Sequence, residues 1–97
     1  MIKLWLDDVR PMPLGFNVHC TNARDAMKYI ALGKVEAISF DHDLGDDITG
    51  YDLAKWIEEE AANGDLQPIF WAVHSSNPVG RANIEMAMKN ADRYWGR

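Results

Sequence analysis

The chain has 97 residues, a formal net charge of −5 and a single cysteine, Cys20. This length predicts one globular domain over residues 1–97, because two domains would each be too small to bury a core. One cysteine excludes a disulfide framework and a cysteine-based zinc site. The acidic balance argues against an extended nucleic-acid surface. No apolar run approaches the roughly 20 residues of a membrane span, and the N-terminus lacks a signal peptide's layout. We therefore expect a soluble cytoplasmic protein.

Four apolar segments have the composition of β-strands. They cover residues 2–6, 16–20, 35–40 and 69–73, of which the second is short and mixed and is predicted to be an edge strand. Near-continuous apolar runs of this length are typical of parallel strands that are covered on both faces.

Three helices are predicted from apolar residues at helical spacing. They run from about Asn22 to Leu32, from Gly50 to Asn63, and from Pro78 to about Trp95. The predicted N-caps are Thr21, Thr49 and Asn77. Asp52 stands three residues after Thr49, which is the spacing of a capping box.

The elements alternate between strand and helix after an initial strand that has no helix. Such alternation predicts an α/β fold with a parallel sheet and right-handed crossovers. The first connection, around residues 11–15, is too short and too rich in proline for a crossover helix. Either the first two strands join without a helix or this loop wraps around the sheet edge.

Polar residues follow all four predicted strands. They are Asp7, Asp8, His19, Thr21, Asp41, His42, Asp43, His74, Ser75, Ser76 and Asn77, and they include every histidine of the chain. Taken singly, these residues are ordinary strand ends, helix caps and solvated loops. In a parallel sheet, however, they meet at the carboxyl edge, which is where open α/β sheets bind ligands. Their convergence predicts a functional site.

The residue types at this edge predict the chemistry. Clustered carboxylates repel one another unless a cation intervenes, and Mg²⁺ or another divalent ion prefers oxygen ligands. Histidines near neutral pKa are suited to general acid–base work, and a helix N-terminus attracts anions. The predicted metal ligands are Asp7, Asp8, Asp41 and Asp43. The predicted catalytic residues are His42, His74 and Asp41, and the predicted phosphate-binding residues are Ser75, Asn77 and Arg81.

The chain resembles the receiver domains of response regulators. The resemblance rests on Leu6-Asp7-Asp8, on Asp41 after Ile38-Ser39-Phe40, on Gly50-Tyr51-Asp52-Leu53, and on residues 68–73. It implies a compact flavodoxin-like three-layer sandwich with about four strands in the order 2-1-3-4. The first helix of a full receiver is absent, as are its fifth strand and the lysine of that strand.

A more specific resemblance is to the cyclic-phosphate processing receiver domain. It is carried by Trp5–Arg10 with Pro13, by Ser39–Gly45, by Gly50–Asp52 and by His74–Ile84. The resemblance implies that the protein handles a phosphate-containing small molecule or an RNA terminus, with a place in RNA repair. Applied to the predicted site, it favours metal-assisted hydrolysis of a cyclic phosphate, in which His42 and His74 divide the acid and base roles.

Three other functions fit parts of the sequence. A signalling receiver would be phosphorylated on Asp41. A non-catalytic nucleotide-binding or interaction module would use some of the four tryptophans for stacking. A two-histidine phosphoesterase would use His19-Cys20-Thr21 and His74-Ser75-Ser76, but that chemistry needs no metal and leaves the acidic cluster unexplained.

Overall fold

The computed structural model describes all 97 residues, which form four strands and three helices. In chain order these are β1 (Ile2–Leu6), β2 (Val18–Cys20), α1 (Ala23–Ala31), β3 (Val35–Phe40), α2 (Gly50–Ala62), β4 (Phe70–Val73) and α3 (Pro78–Tyr94). None of the helices has the length and apolar character that a membrane crossing requires.

The four strands form one parallel sheet in the order β2-β1-β3-β4. This confirms the predicted receiver-like α/β fold and its strand order. The register places Leu4 beside Ile38 and Leu6 beside Phe40, and all four side chains are fully buried. Because side chains alternate across a strand, these residues share one face of the sheet. This face belongs to the main hydrophobic core, to which all three helices contribute.

The opposite face of the sheet carries a different set of residues. Trp5 and Ser39 are buried there, whereas Lys3, Phe70 and Ala72 on the same face are exposed. The segment of residues 7–17 forms part of the layer on this face. Its Phe16 ring packs edge-on against Trp5, with 5.2 Å between the ring centroids, and the Arg10 carbonyl accepts a hydrogen bond from the Trp5 indole.

The segment of residues 7–17 also decides how the first two strands are joined. It contains no helix and returns the chain along the sheet, so that β2 lies parallel to β1. Asn17 secures the return, because its N–H donates to the Lys3 carbonyl and its side-chain oxygen accepts from the Lys3 N–H. The first of the two possible connections is therefore the one that forms.

The helix ends shift by one residue from the predictions, and three other boundaries differ. The second strand contains only Val18–Cys20, and the fourth begins at Phe70 rather than at residue 69. The N-cap of α1 is Asn22 and not Thr21, because Asn22 has an extended backbone and its side chain accepts a hydrogen bond from the Asp25 N–H. The predicted caps of the other two helices are confirmed, including the capping box between Thr49 and Asp52.

Candidate functional site

Three aspartates meet at the carboxyl edge of the sheet. Asp7 and Asp8 follow β1, and Asp41 follows the neighbouring strand β3. One carboxylate oxygen from each lies within 4.8 Å of the other two. Asp7 is buried, Asp41 is partly buried and Asp8 is exposed. We call these residues the acidic cluster.

The carboxylate of Asp7 is held from two sides. Its Oδ1 accepts hydrogen bonds from the backbone N–H groups of Val9 and Arg10, at 2.8 and 2.7 Å. Its Oδ2 lies 3.0 Å from His74 Nε2. Burial alone raises the pKa of Asp7, but the hydrogen bonds from Arg10, Val9 and His74 outweigh it and leave the pKa below its usual value. Asp7 is therefore ionised at neutral pH and fixed in orientation.

His74 has partners on both ring nitrogens. Nδ1 lies 2.7 Å from Ser39 Oγ, and the ring stacks on Trp5 at 3.7 Å between centroids and 6° between planes. Burial lowers the pKa of His74 more than the opposing charge of Asp7 raises it. The neutral ring then donates Nε2–H to Asp7 and accepts the Ser39 hydroxyl at Nδ1. In this arrangement neither nitrogen is free for a substrate.

His42 has a partner on only one ring nitrogen. Nδ1 lies 2.9 Å from Asp43 Oδ1, and Asp43 Oδ2 accepts a hydrogen bond of 3.3 Å from Asn77 Nδ2. The hydrogen bond with His42, and to a smaller extent the one from Asn77, holds the pKa of Asp43 below its usual value. Nε2 of His42 has no hydrogen-bond partner in the protein. Every buried side-chain nitrogen of the protein has such a partner, so Nε2 must be accessible to solvent.

The structure does not place Asp43 with the other predicted metal ligands. Its two oxygens contact His42 and Asn77, and the group of three mutually close carboxylates does not include it.

The predicted phosphate-binding side chains all have local partners. Ser75 is buried, and its Oγ accepts from the Asn77 N–H at 3.1 Å. Asn77 caps α3 through its Oδ1, which accepts from the Gly80 N–H at 3.0 Å. Arg81 Nε lies 3.5 Å from Glu85 one turn further along the helix. None of the three is presented to the acidic cluster by a contact in the structure.

The N-terminus of α3 offers less to an anion than its sequence suggests. Pro78 has no N–H, and the Gly80 N–H is already bonded to Asn77. Among the first three helical residues, only Val79 keeps an unpaired backbone donor.

The loop after β3 approaches Asp8 closely at Gly45. A Cβ atom on Gly45 would lie 3.0 Å from Asp8 Oδ2, and the backbone there has φ +64°. Glycine meets both requirements, since it has no Cβ and tolerates positive φ. The loop can therefore lie against the exposed member of the acidic cluster.

Two further polar groups near the predicted site do not join the acidic cluster. His19 is exposed, and its Nε2 lies 2.8 Å from the backbone oxygen of Asp7. Asp46 pairs with Arg24 on α1 at 3.5 Å. The first contact supports the backbone of Asp7, whereas the second joins the surface of the β3–α2 loop to a helix.

Three residues of the site have roles that the sequence does not predict. Arg10 extends from the segment after β1 to the segment after β4, where its Nη1 donates to the His74 carbonyl at 2.5 Å. Its position two residues after the acidic pair is a signal that the sequence offers. Trp5 and Ser39 belong to segments that carry the family resemblance, but neither has a sequence pattern that predicts its contact, because the register alone brings each beside His74.

The acidic cluster fits a hard divalent cation. Its three ligands are carboxylate oxygens, which Mg²⁺ prefers, and the exposed Asp8 leaves one side open to water or to a phosphate oxygen. Asp7 is already ionised and orientated by its hydrogen bonds. A cation would relieve the repulsion among the three charges.

The predicted family resemblance is confirmed by comparison with known proteins. Searches of the curated proteins and of the solved structures returned no significant match. The family model described as the cyclic-phosphate processing receiver domain matches residues 2–90, which include every residue of the site described above. On this match, together with the receiver-like fold, the chain belongs to the family of cyclic-phosphate processing receiver domains.

Proposed function

We propose that the protein is a metal-assisted phosphoester hydrolase that opens a cyclic phosphate, either at an RNA terminus or in a free cyclic nucleotide. One observation carries the proposal. The acidic cluster lies at the same sheet edge as His42, whose Nε2 is free and whose Nδ1 is hydrogen-bonded to the carboxylate of Asp43.

The reaction adds one water across one P–O bond of the cyclic diester. His42 Nε2 accepts a proton from the attacking water, whose oxygen bonds to phosphorus. One ring oxygen then leaves phosphorus as an alkoxide and takes up the proton held at Nε2. The products are a phosphate monoester and a free hydroxyl group. Asp43 supports the first step, because its negative charge stabilises the imidazolium that forms.

Asp7, Asp8 and Asp41 would hold the metal ion, which when bound neutralises charge on the phosphoryl oxygens. His74 supports the acidic cluster because its hydrogen bond orients Asp7. The ring of His74 is itself held by the hydrogen bond with Ser39 and by stacking on Trp5. Because both nitrogens of His74 are bonded within the protein, we assign His42 the proton-transfer role and His74 an orienting role.

Phosphorus NMR tests the proposal directly. The purified protein is incubated with 2′,3′- and 3′,5′-cyclic nucleotides and with a short RNA that ends in a 2′,3′-cyclic phosphate, in Mg²⁺ or in EDTA. We expect one of these diesters to open to a monoester only with the metal. Asp41→Asn should abolish turnover, whereas Asp47→Asn, in the same loop with its side chain 80% exposed, should leave it unchanged. No turnover on any substrate by the folded protein would overturn the proposal for these diesters.

A signalling receiver is the second candidate, and the place of Asp41 favours it. Asp41 directly follows β3 and lies beside the acidic pair, as the phosphoacceptor of a receiver does. Beryllofluoride with Mg²⁺ would then change the NMR spectrum of the protein, and Asp41→Asn would abolish the change. Such a change in a protein without turnover would favour this function over hydrolysis.

A further inference from the structure

The imidazole of His42 packs directly on the first turn of α3. A Cβ atom built on Gly80 would lie 2.3 Å from His42 Cγ, 2.5 Å from Cδ2 and 2.7 Å from Nδ1. Real Cβ atoms do not approach other atoms so closely, so any side chain at this position would displace the ring. Gly80 is buried, and its φ is not in the positive range, so backbone strain does not explain the glycine. The close contact with the His42 ring explains why this position has no side chain.

A chain of hydrogen bonds connects the same helix turn to the other side of the ring. The Gly80 N–H donates to Asn77 Oδ1 at 3.0 Å, and Asn77 Nδ2 donates to Asp43 Oδ2 at 3.3 Å. Asp43 Oδ1 lies 2.9 Å from His42 Nδ1. These contacts form a closed circuit of His42, Asp43, Asn77 and Gly80, which we call the α3 clamp.

The direction of each hydrogen bond in the α3 clamp follows from the Gly80 N–H at one end and from the carboxylate of Asp43 at the other. The Gly80 N–H can only donate, so it selects the oxygen of the Asn77 amide and leaves the Nδ2–H₂ group for Asp43. An ionised carboxylate only accepts, so His42 Nδ1 must be the donor to Asp43. The neutral ring then carries its hydrogen on Nδ1 and its lone pair on Nε2.

We propose that Asn77 and Gly80 are positioning residues that fix the tautomer and the place of the His42 ring, with Nε2 as the free acceptor. Asn77 acts on the tautomer through Asp43, and Gly80 provides the space that the ring occupies. The catalytic consequence rests on the proposed hydrolase function, because a lone pair on Nε2 is what a general base needs. The tautomer itself is a property of the protein without substrate.

The variant Asn77→Ser separates the clamp from the helix cap. Serine is as good an N-cap as asparagine, so the stability of α3 should be kept. Its hydroxyl cannot reach Asp43 as the longer amide does, so Asp43 loses one of its two partners. We expect long-range ¹H–¹⁵N NMR of the metal-free protein, at a pH where the ring is neutral, to show His42 protonated on Nδ1. In Asn77→Ser a substantial fraction should carry the hydrogen on Nε2, while the melting temperature stays within a few degrees.

The variant Gly80→Ala tests the packing contact. Alanine is a better helix former than glycine, so the helix itself should not be weakened. The added Cβ should displace the ring, with loss of the nuclear Overhauser contacts between His42 and residue 80. Ala82→Ser is the matched control, since Ala82 is exposed on the same helix. Unchanged His42 contacts and resonances in Gly80→Ala would overturn the role of Gly80.

Kinetics and NMR together distinguish failure of this proposal from failure of the hydrolase function. If the enzyme turns over, Asn77→Ser should lower kcat at least tenfold with little change in KM. A wild-type protein with the hydrogen on His42 Nε2 would overturn the α3 clamp even if the enzyme were active. A wild-type protein with the hydrogen on Nδ1, lost in Asn77→Ser, would support the clamp even if no cyclic phosphate were opened.

Discussion

His42 and His74 lie at the same edge of the sheet but differ in how their ring nitrogens are hydrogen-bonded. His74 lies on the sheet face that the segment of residues 7–17 helps to cover, stacked on Trp5 and bonded through both nitrogens. His42 packs against the first turn of α3 with one nitrogen bonded and the other facing solvent. Both ring nitrogens of His74 are used in hydrogen bonds within the protein. In His42 one ring nitrogen stays available for proton transfer.

The difference shows that closeness to a carboxylate does not define a histidine's role. Both rings have an aspartate partner at about the same distance, 3.0 Å for His74 and 2.9 Å for His42. What separates them is the second nitrogen, which Ser39 occupies in His74 and nothing occupies in His42. A general base must have an accessible lone pair, so only His42 meets the geometric requirement without rearrangement.

The largest effect that would test this comparison is on turnover. His42→Gln should lower kcat by about 10²- to 10⁴-fold, the usual contribution of general acid–base catalysis, with little change in stability. His74→Gln should act mainly on stability and metal binding. His19→Gln is the matched control, because that ring is exposed and its hydrogen bond goes to the backbone of Asp7 and not to a carboxylate. Loss of turnover in His74→Gln with unaltered metal affinity, and an active His42→Gln, would reverse the two roles.

The next effect concerns the metal ion. Asp7→Asn should lower Mg²⁺ affinity by at least about tenfold, because it removes the most firmly orientated carboxylate of the acidic cluster. Trp5 offers an internal probe, since it stacks on the histidine that holds Asp7. Titration of the tryptophan fluorescence with Mg²⁺, to which Trp5 contributes beside three other tryptophans, gives the affinity, with Asp47→Asn as control. Equal affinities in wild type and Asp7→Asn would remove Asp7 from the metal site.

Stability of the metal-free protein should fall on acidification below about pH 6.5. The pKa of His74 is lower in the folded protein than its ordinary value of 6.5, mainly because of burial. The unfolded chain therefore binds more protons in this range, so the stabilisation is complete above pH 6.5 and is lost as the pH falls through the folded pKa. Asp7 adds an effect of the same sign below its ordinary value of 3.8.

Urea unfolding at several pH values measures this slope, which for one group does not exceed about 1.4 kcal/mol per pH unit. His74→Gln should flatten the slope near pH 5–6. A wild-type protein that becomes more stable between pH 6.5 and 5 would show that the folded protein prefers the charged ring.

The smallest effect is expected at Ser39. Ser39→Ala removes the hydroxyl bonded to His74 Nδ1 and should lower the free energy of unfolding by about 1 kcal/mol. Turnover should change little, because Asp7 still fixes the other nitrogen. Ser76→Ala is the control, since Ser76 is exposed and its loss should be nearly neutral. A collapse of activity in Ser39→Ala without loss of stability would give His74 a direct part in the reaction.

Much of the fold could be predicted because it depends on local patterns. Alternating strands and helices predicted a parallel sheet, and the receiver resemblance supplied the order 2-1-3-4 that the structure confirms. The capping signals at Thr49 and Asn77 correctly predict where α2 and α3 begin. The N-cap of α1 was placed one residue early, at Thr21, because threonine and asparagine are both good caps and only the backbone conformation distinguishes them.

The candidate site could be predicted in composition but not in detail. The sequence placed Asp7, Asp8 and Asp41 together, since neighbouring parallel strands end at one edge. It assigned Asp43 to the same metal, whereas the side chain points to His42 and Asn77. Adjacency along a loop does not determine where a carboxylate points. The role of Asp43 as a metal ligand stays a prediction.

The sequence by itself determined which chemical groups reach the edge of the sheet: carboxylates, imidazoles and a capped helix start. The tertiary structure alone decided which of their atoms are left free. Sheet register brought Trp5 and Ser39 to His74, and the approach of α3 to the loop after β3 placed Gly80 beneath His42. A hydrogen bond depends on distances of a few tenths of an ångström between residues far apart in the chain. Such distances are set by packing, and no local sequence pattern records them.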